Sequence, residues 1–239
     1  MIESEAEYRQ RARRWLAANL TPAGSSSHRL GPADGQTESE WVARSRAIQA
    51  KLSEGGYAGI TLPPELGGAG LDQRYQQIFD EESAGYELPP YFAGARGPTF
   101  YLLLACMSDA HQHEHIPAIL DGREVWCQLM SEPGAGSDLA GVVTRADRDG
   151  DEWVINGQKV WTTDAHFSEY GICLARTDFD VPKHAGLTMF FVSMDTPGVT
   201  ARPLRQADGS AAFNEVFLDD VRIPAENVLG EVNQGWSTV

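Results

Sequence analysis

The chain has 239 residues, 42% of them hydrophobic and 22% charged, the profile of an ordinary globular protein of one or two domains. Its formal net charge is 19 − 34 = −15. That argues against non-specific binding of a nucleic-acid backbone and makes any site for a polyanionic ligand a local basic exception. Cys106, Cys127 and Cys173 show neither metal-ligand spacing nor pairing logic and read as buried thiols in a reducing compartment. No apolar run reaches membrane-spanning length, and Met1-Ile2-Glu3-Ser4-Glu5 is acidic rather than signal-like, so no membrane span is expected and cytoplasmic is the default location.

From the N-terminus, Tyr8, Ala12, Trp15 and Leu16 recur at helical spacing over residues 3–19. Residues 21–36 are rich in Pro, Gly and Ser and read as a loop. Thr37-Glu38-Ser39-Glu40 fits a capping box opening a helix striped by Trp41, Ile48 and Leu52 and stopped by Gly55-Gly56. Residues 62–71 hold too many Gly and Pro residues for a helix; helix resumes near 74–85 and again near 99–107. His111 and His115 would share a helix face and, with His113, invite a metal reading. No second ligand cluster accompanies them, so residues 108–117 read as a solvated helix face and no metal is expected.

After Asp138 the period changes to two. Val143, Arg145 and Asp147 alternate with Thr144, Ala146 and Arg148, Asp149-Gly150 offers a hairpin turn, and Trp153-Val154-Ile155 is the return strand. Asn156-Gly157 reads as a second hairpin into 159–163. Further strands are expected at 170–176, 187–194, 199–203 and 213–218, with Asp219 and Asp220 as solvated charges in a β-turn. Short strands with frequent turn signals mean an antiparallel sandwich or barrel. From Glu226 the chain is expected to leave the sheet and start another helix at Gly235-Trp236. Helices followed by strands imply segregated domains, an α+β architecture: an N-terminal all-α domain over 1–121, a β-barrel or sandwich over 122–229, and the start of a further helical domain over 230–239.

Two stretches carry chemistry. In the first, the apolar run ending at Met130 breaks into Ser131-Glu132-Pro133-Gly134-Ala135-Gly136-Ser137-Asp138. Gly134 and Gly136 remove side-chain bulk and permit positive φ, so successive N–H groups could converge on an anion, although Pro-Gly-x-Gly is also an ordinary turn. In the second, Asn156-Gly157-Gln158-Lys159-Val160-Trp161-Thr162-Thr163 delivers a flat aromatic and two hydroxyls. A pyrophosphate-gripping loop beside such a group suits a flavin. The plainer readings are a core Trp161, strand-forming Thr162 and Thr163, a packing Met130, and turn-stabilising Ser137 and Asp138.

Those two stretches together resemble the FAD-binding signature of acyl-CoA dehydrogenases. Leu62-Pro63-Pro64-Glu65-Leu66-Gly67-Gly68-Ala69-Gly70-Leu71 is similar to the family's N-terminal turn. Phe217-Leu218-Asp219-Asp220-Val221-Arg222-Ile223-Pro224, followed by Asn227-Val228-Leu229-Gly230, is similar to its exit from the middle domain. The four motifs stand in family order and cover nearly the whole chain.

The resemblance implies a flavoprotein oxidoreductase of lipid metabolism that desaturates an acyl-CoA thioester between Cα and Cβ, with FAD as cofactor and an oligomer when complete, of like or unlike subunits. It implies that Ser131 and Thr163 hydrogen-bond the isoalloxazine, Thr163 at the N5 side. Gln128, Leu129 and Met130 would lie along the flavin, with Trp161 and Thr162 on its other side. Gly136 and Ser137 would face the pyrophosphate, Ser137 also near the substrate. Two departures stand out: serine replaces the usual threonine at Ser131, and Gln128 replaces an aromatic.

No residue here matches the family's catalytic base. Glu132 serves its loop by resemblance, and the base is expected in a third, helical domain, so these residues alone are not expected to turn over an acyl-CoA. The acceptor would be electron-transfer flavoprotein in a dehydrogenase, or oxygen in an acyl-CoA oxidase or flavin monooxygenase of the same architecture. A non-catalytic flavin-binding subunit is the remaining reading.

Overall fold

The structure, a computed structural model, describes residues 3–24, 32, 35–88, 97–207 and 209–239. The chain divides into two compact units, Met1–Arg96 with Ala110–Arg123, and Gly97–Asp109 with Glu124–Val239.

The first unit is helical. It holds α1 (Glu5–Asn19), α2 (Glu38–Glu54), α3 (Gln73–Ser83) and most of α5 (Asp109–Leu120); α4 (Pro98–Cys106) belongs to the second unit. The expected capping box forms at α2, where Glu40 N–H donates to Thr37 Oγ1 and Thr37 N–H donates to Glu40 Oε2. Ser4 and Glu7 build the same box on α1, which the sequence reading did not single out. The core gathers Tyr8, Leu16, Leu52, Tyr57, Ile78 and Phe79, with Tyr57 stacked on Phe79 at 4.6 Å and Tyr75 edge-on to Tyr8 at 4.9 Å. Most of the loop expected over 21–36 lies outside the described residues.

The histidine segment differs from its expectation. His115 is buried and His111 half-buried, because α5 turns the face that carries Ile116, Ile119 and Leu120 inward. Only His113 stays on the exposed side of that trio.

The second unit is an eight-stranded sheet: β1 (Trp126–Leu129), β2 (Arg145–Asp149), β3 (Glu152–Thr163), β4 (Tyr170–Arg176), β5 (Leu187–Ser193), β6 (Val199–Pro203), β7 (Phe213–Pro224) and β8 (Val228–Leu229). The order is β6-β7-β3-β2-β4-β5-β8, with β1 beside β4. Helices come first and strands second, as expected, and the sheet is mixed: most pairs are antiparallel, while β4 runs parallel to β1 and, at Arg145–Arg176, to β2. Trp153, Ile155, Phe190, Val216, Leu218 and Ile223 fill its core.

Three expectations about turns are corrected. Asn156-Gly157 is not a hairpin, because β3 runs unbroken from Glu152 to Thr163. It lies opposite a bulge in β7: Ile155 faces Val221 and Gly157 faces Leu218, so Asn156 alone stands across from Asp219 and Asp220. Glycine is needed there for room: a Cβ on Gly157 would stand 2.3 Å from Thr144 Oγ1. Asn156 completes the bulge by accepting the Asp220 N–H at 2.8 Å and donating to Asp220 Oδ1 at 3.0 Å.

Asp219 and Asp220 therefore lie within β7, with Asp220 at φ 49°, and not in a β-turn. Nor does the chain leave the sheet at Glu226, since β8 pairs with β5 through Met189–Leu229 and Phe190–Val228. The helix begun at Gly235 is the short α6 (Gly235–Thr238). Asn233 anchors it, with Asn233 N–H donating to Thr188 Oγ1 at 2.8 Å and Thr177 Oγ1 donating to Asn233 Oδ1 at 2.6 Å. No helix among the described residues is long and apolar enough to cross a membrane.

Gly157→Ala should destabilise the β unit by about 1–3 kcal/mol, since a new methyl must displace Thr144 from a packed strand pair. Chemical denaturation followed by near-ultraviolet circular dichroism reads the change. An unchanged midpoint would show that the bulge needs no glycine.

Candidate functional site

β1 ends on Leu129, whose side chain is fully buried in the core of the sheet. Only its backbone is left for a ligand. Strand alternation turns Gln128 the other way, exposed, where its Nε2 donates to Thr99 Oγ1 of α4 at 2.5 Å. The chain then reverses in a four-residue turn. Glu132 N–H donates to the Ala135 carbonyl at 2.9 Å and Ala135 N–H to the Glu132 carbonyl at 3.0 Å, with Pro133-Gly134 at the tip.

Gly134 and Gly136 do not take the positive φ that was expected of them. The reciprocal bonds and the fixed φ of Pro133 close the turn without it. A Cβ on either would meet nothing within 4 Å, so the turn faces open space on that side. Beside them Ser137 is exposed, and its hydroxyl has no hydrogen-bond partner among the described residues. Asp138 pairs with Lys183 at 2.7 Å and accounts for itself as a loop tie.

Two buried cations pin this loop to the sheet. Lys159, with no exposed surface, donates to Glu132 Oε1 at 2.9 Å, the Met130 carbonyl at 3.1 Å and the Leu174 carbonyl at 2.6 Å. Glu132 in turn accepts the N–H groups of Val143 at 2.7 Å and Thr144 at 2.9 Å. Burial pushes the Glu132 carboxyl up, but the Lys159 ammonium and the hydrogen bonds from Thr144 and Val143 outweigh it and hold its pKa below the usual value. Arg176, also buried, donates to the carbonyls of Ala140 at 2.6 Å and Val142 at 3.0 Å at the far end of the loop.

The second stretch reaches the same place. Val160 N–H donates to the Ser131 carbonyl at 2.9 Å, so the start of the loop is tied to β3 one residue before Trp161. Trp161 has φ 62° and is 62% exposed, which excludes the core reading. A bulky side chain in the left-handed region is an outlier costing roughly 1–3 kcal/mol. Such strain collects at ligand sites. Thr163 is exposed, and Thr162 is buried with its Oγ1 unpartnered among the described residues.

The structure thus brings Met130, Ser131, Trp161 and their neighbours to one end of the sheet, with Gly136 and Ser137 on the turn beside them. Sequence reasoning missed Arg176 and the pairing of Glu132 with Lys159. An arginine ending the apolar run Tyr170–Ala175 was the available signal for Arg176. Cys127 and Cys173 are buried thiols, pushed up to about 12 and about 11 by burial; Cys106 is half-buried.

Residues 3–123 match the family model "Acyl-CoA dehydrogenase, N-terminal domain", and residues 127–221 match "Acyl-CoA dehydrogenase, middle domain". The chain belongs to the acyl-CoA dehydrogenase family. It is 43% identical to acyl-CoA dehydrogenase IpdE1 of Mycobacterium tuberculosis over 98% of its own length and 61% of that protein's. Among solved structures it resembles the Tcur3481-Tcur3483 steroid ACAD, with a TM-score of 0.79, 30% identity, and coverage of 99% of this chain and 60% of that one. A glutaryl-CoA dehydrogenase of Mycobacterium smegmatis in complex with FADH2 shares the fold, with a TM-score of 0.65 at 23% identity over 100% of this chain and 58% of that one. The chain therefore spans about three fifths of the length of these relatives.

Lys159→Met should destabilise the β unit by about 3–5 kcal/mol, because it leaves the Glu132 carboxylate buried without its cation. The pH dependence has a definite sign. With its folded pKa below the unfolded one, Glu132 stabilises the fold above the ordinary carboxylate range, and that contribution is lost as pH falls through the folded value. Glu132→Gln should therefore lessen the loss of stability on acidification. Urea midpoints at neutral and acid pH measure both effects; identical acid limbs in Glu132→Gln and the unaltered protein would sink the assignment.

Proposed function

We propose that this chain provides the FAD-binding part of an acyl-CoA dehydrogenase that desaturates an acyl-CoA thioester between Cα and Cβ. The observation that supports the reading most is Trp161, held exposed in a strained conformation one residue from the bond that ties β3 to the flavin-motif loop. The residues present fit the cofactor: open space over Gly134 and Gly136, exposed hydroxyls at Ser137 and Thr163, and a buried unpartnered hydroxyl at Thr162. FAD, when bound, supplies the hydride acceptor.

The protein's part is to hold and orient. Gly136 and Ser137 meet the pyrophosphate with N–H and hydroxyl donors. Ser131 and Thr163 offer hydroxyls to the isoalloxazine, and Trp161 and Thr162 line its side, with Gln128, the Leu129 backbone and Met130 along it. The exposed Gln128, held by Thr99, makes that edge polar where an aromatic is usual. Glu132 is not available as the base for the α-proton, since both its oxygens are engaged and its pKa is depressed. The base is supplied from outside these residues.

The acceptor is an electron-transfer flavoprotein in this reading; rapid peroxide formation on substrate reduction would indicate an oxidase instead. Assembly with an unlike subunit is part of the proposal, prompted by the two-component name of the Tcur3481-Tcur3483 relative.

The test combines binding and reduction. In the complete protein Ser137→Ala should weaken FAD binding by about 1 kcal/mol, read by flavin-fluorescence titration. Thr163→Val should slow anaerobic flavin bleaching by roughly 10- to 1000-fold with the fold intact. The acyl-CoA panel should include linear fatty acyl-CoAs and a steroid-derived one. Residues 1–239 mixed with excess FAD and the same panel should not bleach the flavin. Bleaching at the rate of a complete dehydrogenase would place the base within these residues, and no FAD uptake by the complete protein would overturn the reading.

A further inference from the structure

We infer that Asn214, with His166 behind it, is the positioning residue that sets the conformation of Trp161–Thr163 against the flavin. The assignment rests on the flavin reading above. Between β3 and β7, Lys159 stands opposite Val216 and Thr162 opposite Asn214. Two residues of β3, Val160 and Trp161, therefore share the space opposite the single Glu215. That is a second bulge, and its extra residue is the left-handed Trp161. Three residues later Asp164 is left-handed as well, at φ 61°. A segment with two such residues holds its shape only where its surroundings over-determine it.

Asn214 supplies that determination. Its side chain has no exposed surface. Nδ2 stands 3.0 Å from the Thr162 carbonyl and 3.3 Å from the Ala212 carbonyl, and Oδ1 stands 2.9 Å from His166 Nδ1. Carbonyl oxygens only accept, so the amide nitrogen must face them and Oδ1 must face the imidazole. His166 Nδ1 then carries the proton. The Ala212 carbonyl also accepts the Asp164 N–H at 2.9 Å. One carboxamide thus joins the Trp161 bulge, the Asp164 corner, and the short helical turn of residues 165–167 that carries His166.

The site motif of β3 could not reveal this, because Asn214 and His166 lie outside it. The chemistry points to a residue that acts through Thr162 and Trp161. Its substitution should alter how flavin is held more than whether the sheet folds.

The experiment uses the complete protein and three variants, with FAD affinity by fluorescence titration, visible circular dichroism of the bound flavin, and folding by far-ultraviolet circular dichroism. Asn214→Asp keeps an acceptor for His166 but sets an oxygen against the Thr162 and Ala212 carbonyls. His166→Leu removes the donor behind Oδ1, and His166→Asn restores one at nearly the same place. Asn214→Asp and His166→Leu should each weaken FAD binding about ten-fold, the scale of one oriented hydrogen bond to a buried group. Both should change the flavin dichroism while the protein stays folded, and His166→Asn should recover the unaltered values. If Asn214→Asp does not fold, the two His166 variants decide the matter. Unchanged flavin affinity and dichroism in His166→Leu would overturn the inference, as would equal losses in His166→Leu and His166→Asn. Failure of the unaltered protein to bind FAD would instead overturn the flavin reading, and this assignment with it.

Discussion

A lysine ammonium with no exposed surface is the constraint around which the β unit is built. Lys159 is buried on a central strand, and a charge there is tolerable only if its donors are matched by close acceptors. One carboxylate and two carbonyls meet that need, and they come from three places: Glu132 in the loop, Met130 just beyond β1, and Leu174 in β4. The ion pair therefore does more than neutralise itself. It makes the position of the loop a condition of burying the charge. Arg176 repeats the device with carbonyls alone, at Ala140 and Val142. A loop so rich in Gly and Ser would otherwise have little to order it.

Against that fixed loop, the β3–β7 ribbon is shaped by two interruptions, the first a bulge in β7 and the second a bulge in β3. The first lies opposite Asn156, and Gly157 beside it lets β3 pass close to Thr144 without a side chain in the way. The second pushes Trp161 out of the sheet and into solvent. Both lie on the long β3–β7 ribbon and shift its register, so inward positions before the bulges do not stay in phase with those after. Lys159 falls inward between them, and the exposed Trp161 follows directly beyond Val160. Clamp and exposed indole are thus two products of the same local geometry.

The proposed function would give this arrangement its chemical meaning. An acyl-CoA dehydrogenase has to hold a flat, electron-poor ring in fixed relation to a thioester, and rigid backbone donors do that better than mobile side chains. The depressed pKa of Glu132 fits a structural carboxylate that stays ionised, in contrast to the perturbations that poise a group for proton transfer.

Much was legible from residue order. The capping box at Thr37–Glu40, the alternation in 145–149, and the strands at 170–176 and 199–203 all depend on local periodicity and turn chemistry, which a linear reading captures. The failures share a cause. Asn156-Gly157 has the composition of a hairpin turn, and only the approach of Thr144 and the pairing with Asp220 keep it within a strand. Gly134 and Gly136 look like residues chosen for positive φ, yet the bonds between Glu132 and Ala135 close the turn without it. His115 sits in a polar sequence, but burial is set by the face that Ile116 and Ile119 turn inward. The sequence by itself determined which elements form and which motifs they carry. The tertiary structure alone decided the partners of Lys159, Arg176 and Asn214, because such pairings join residues 27, 34 and 52 positions apart, and no local pattern encodes a contact across that distance.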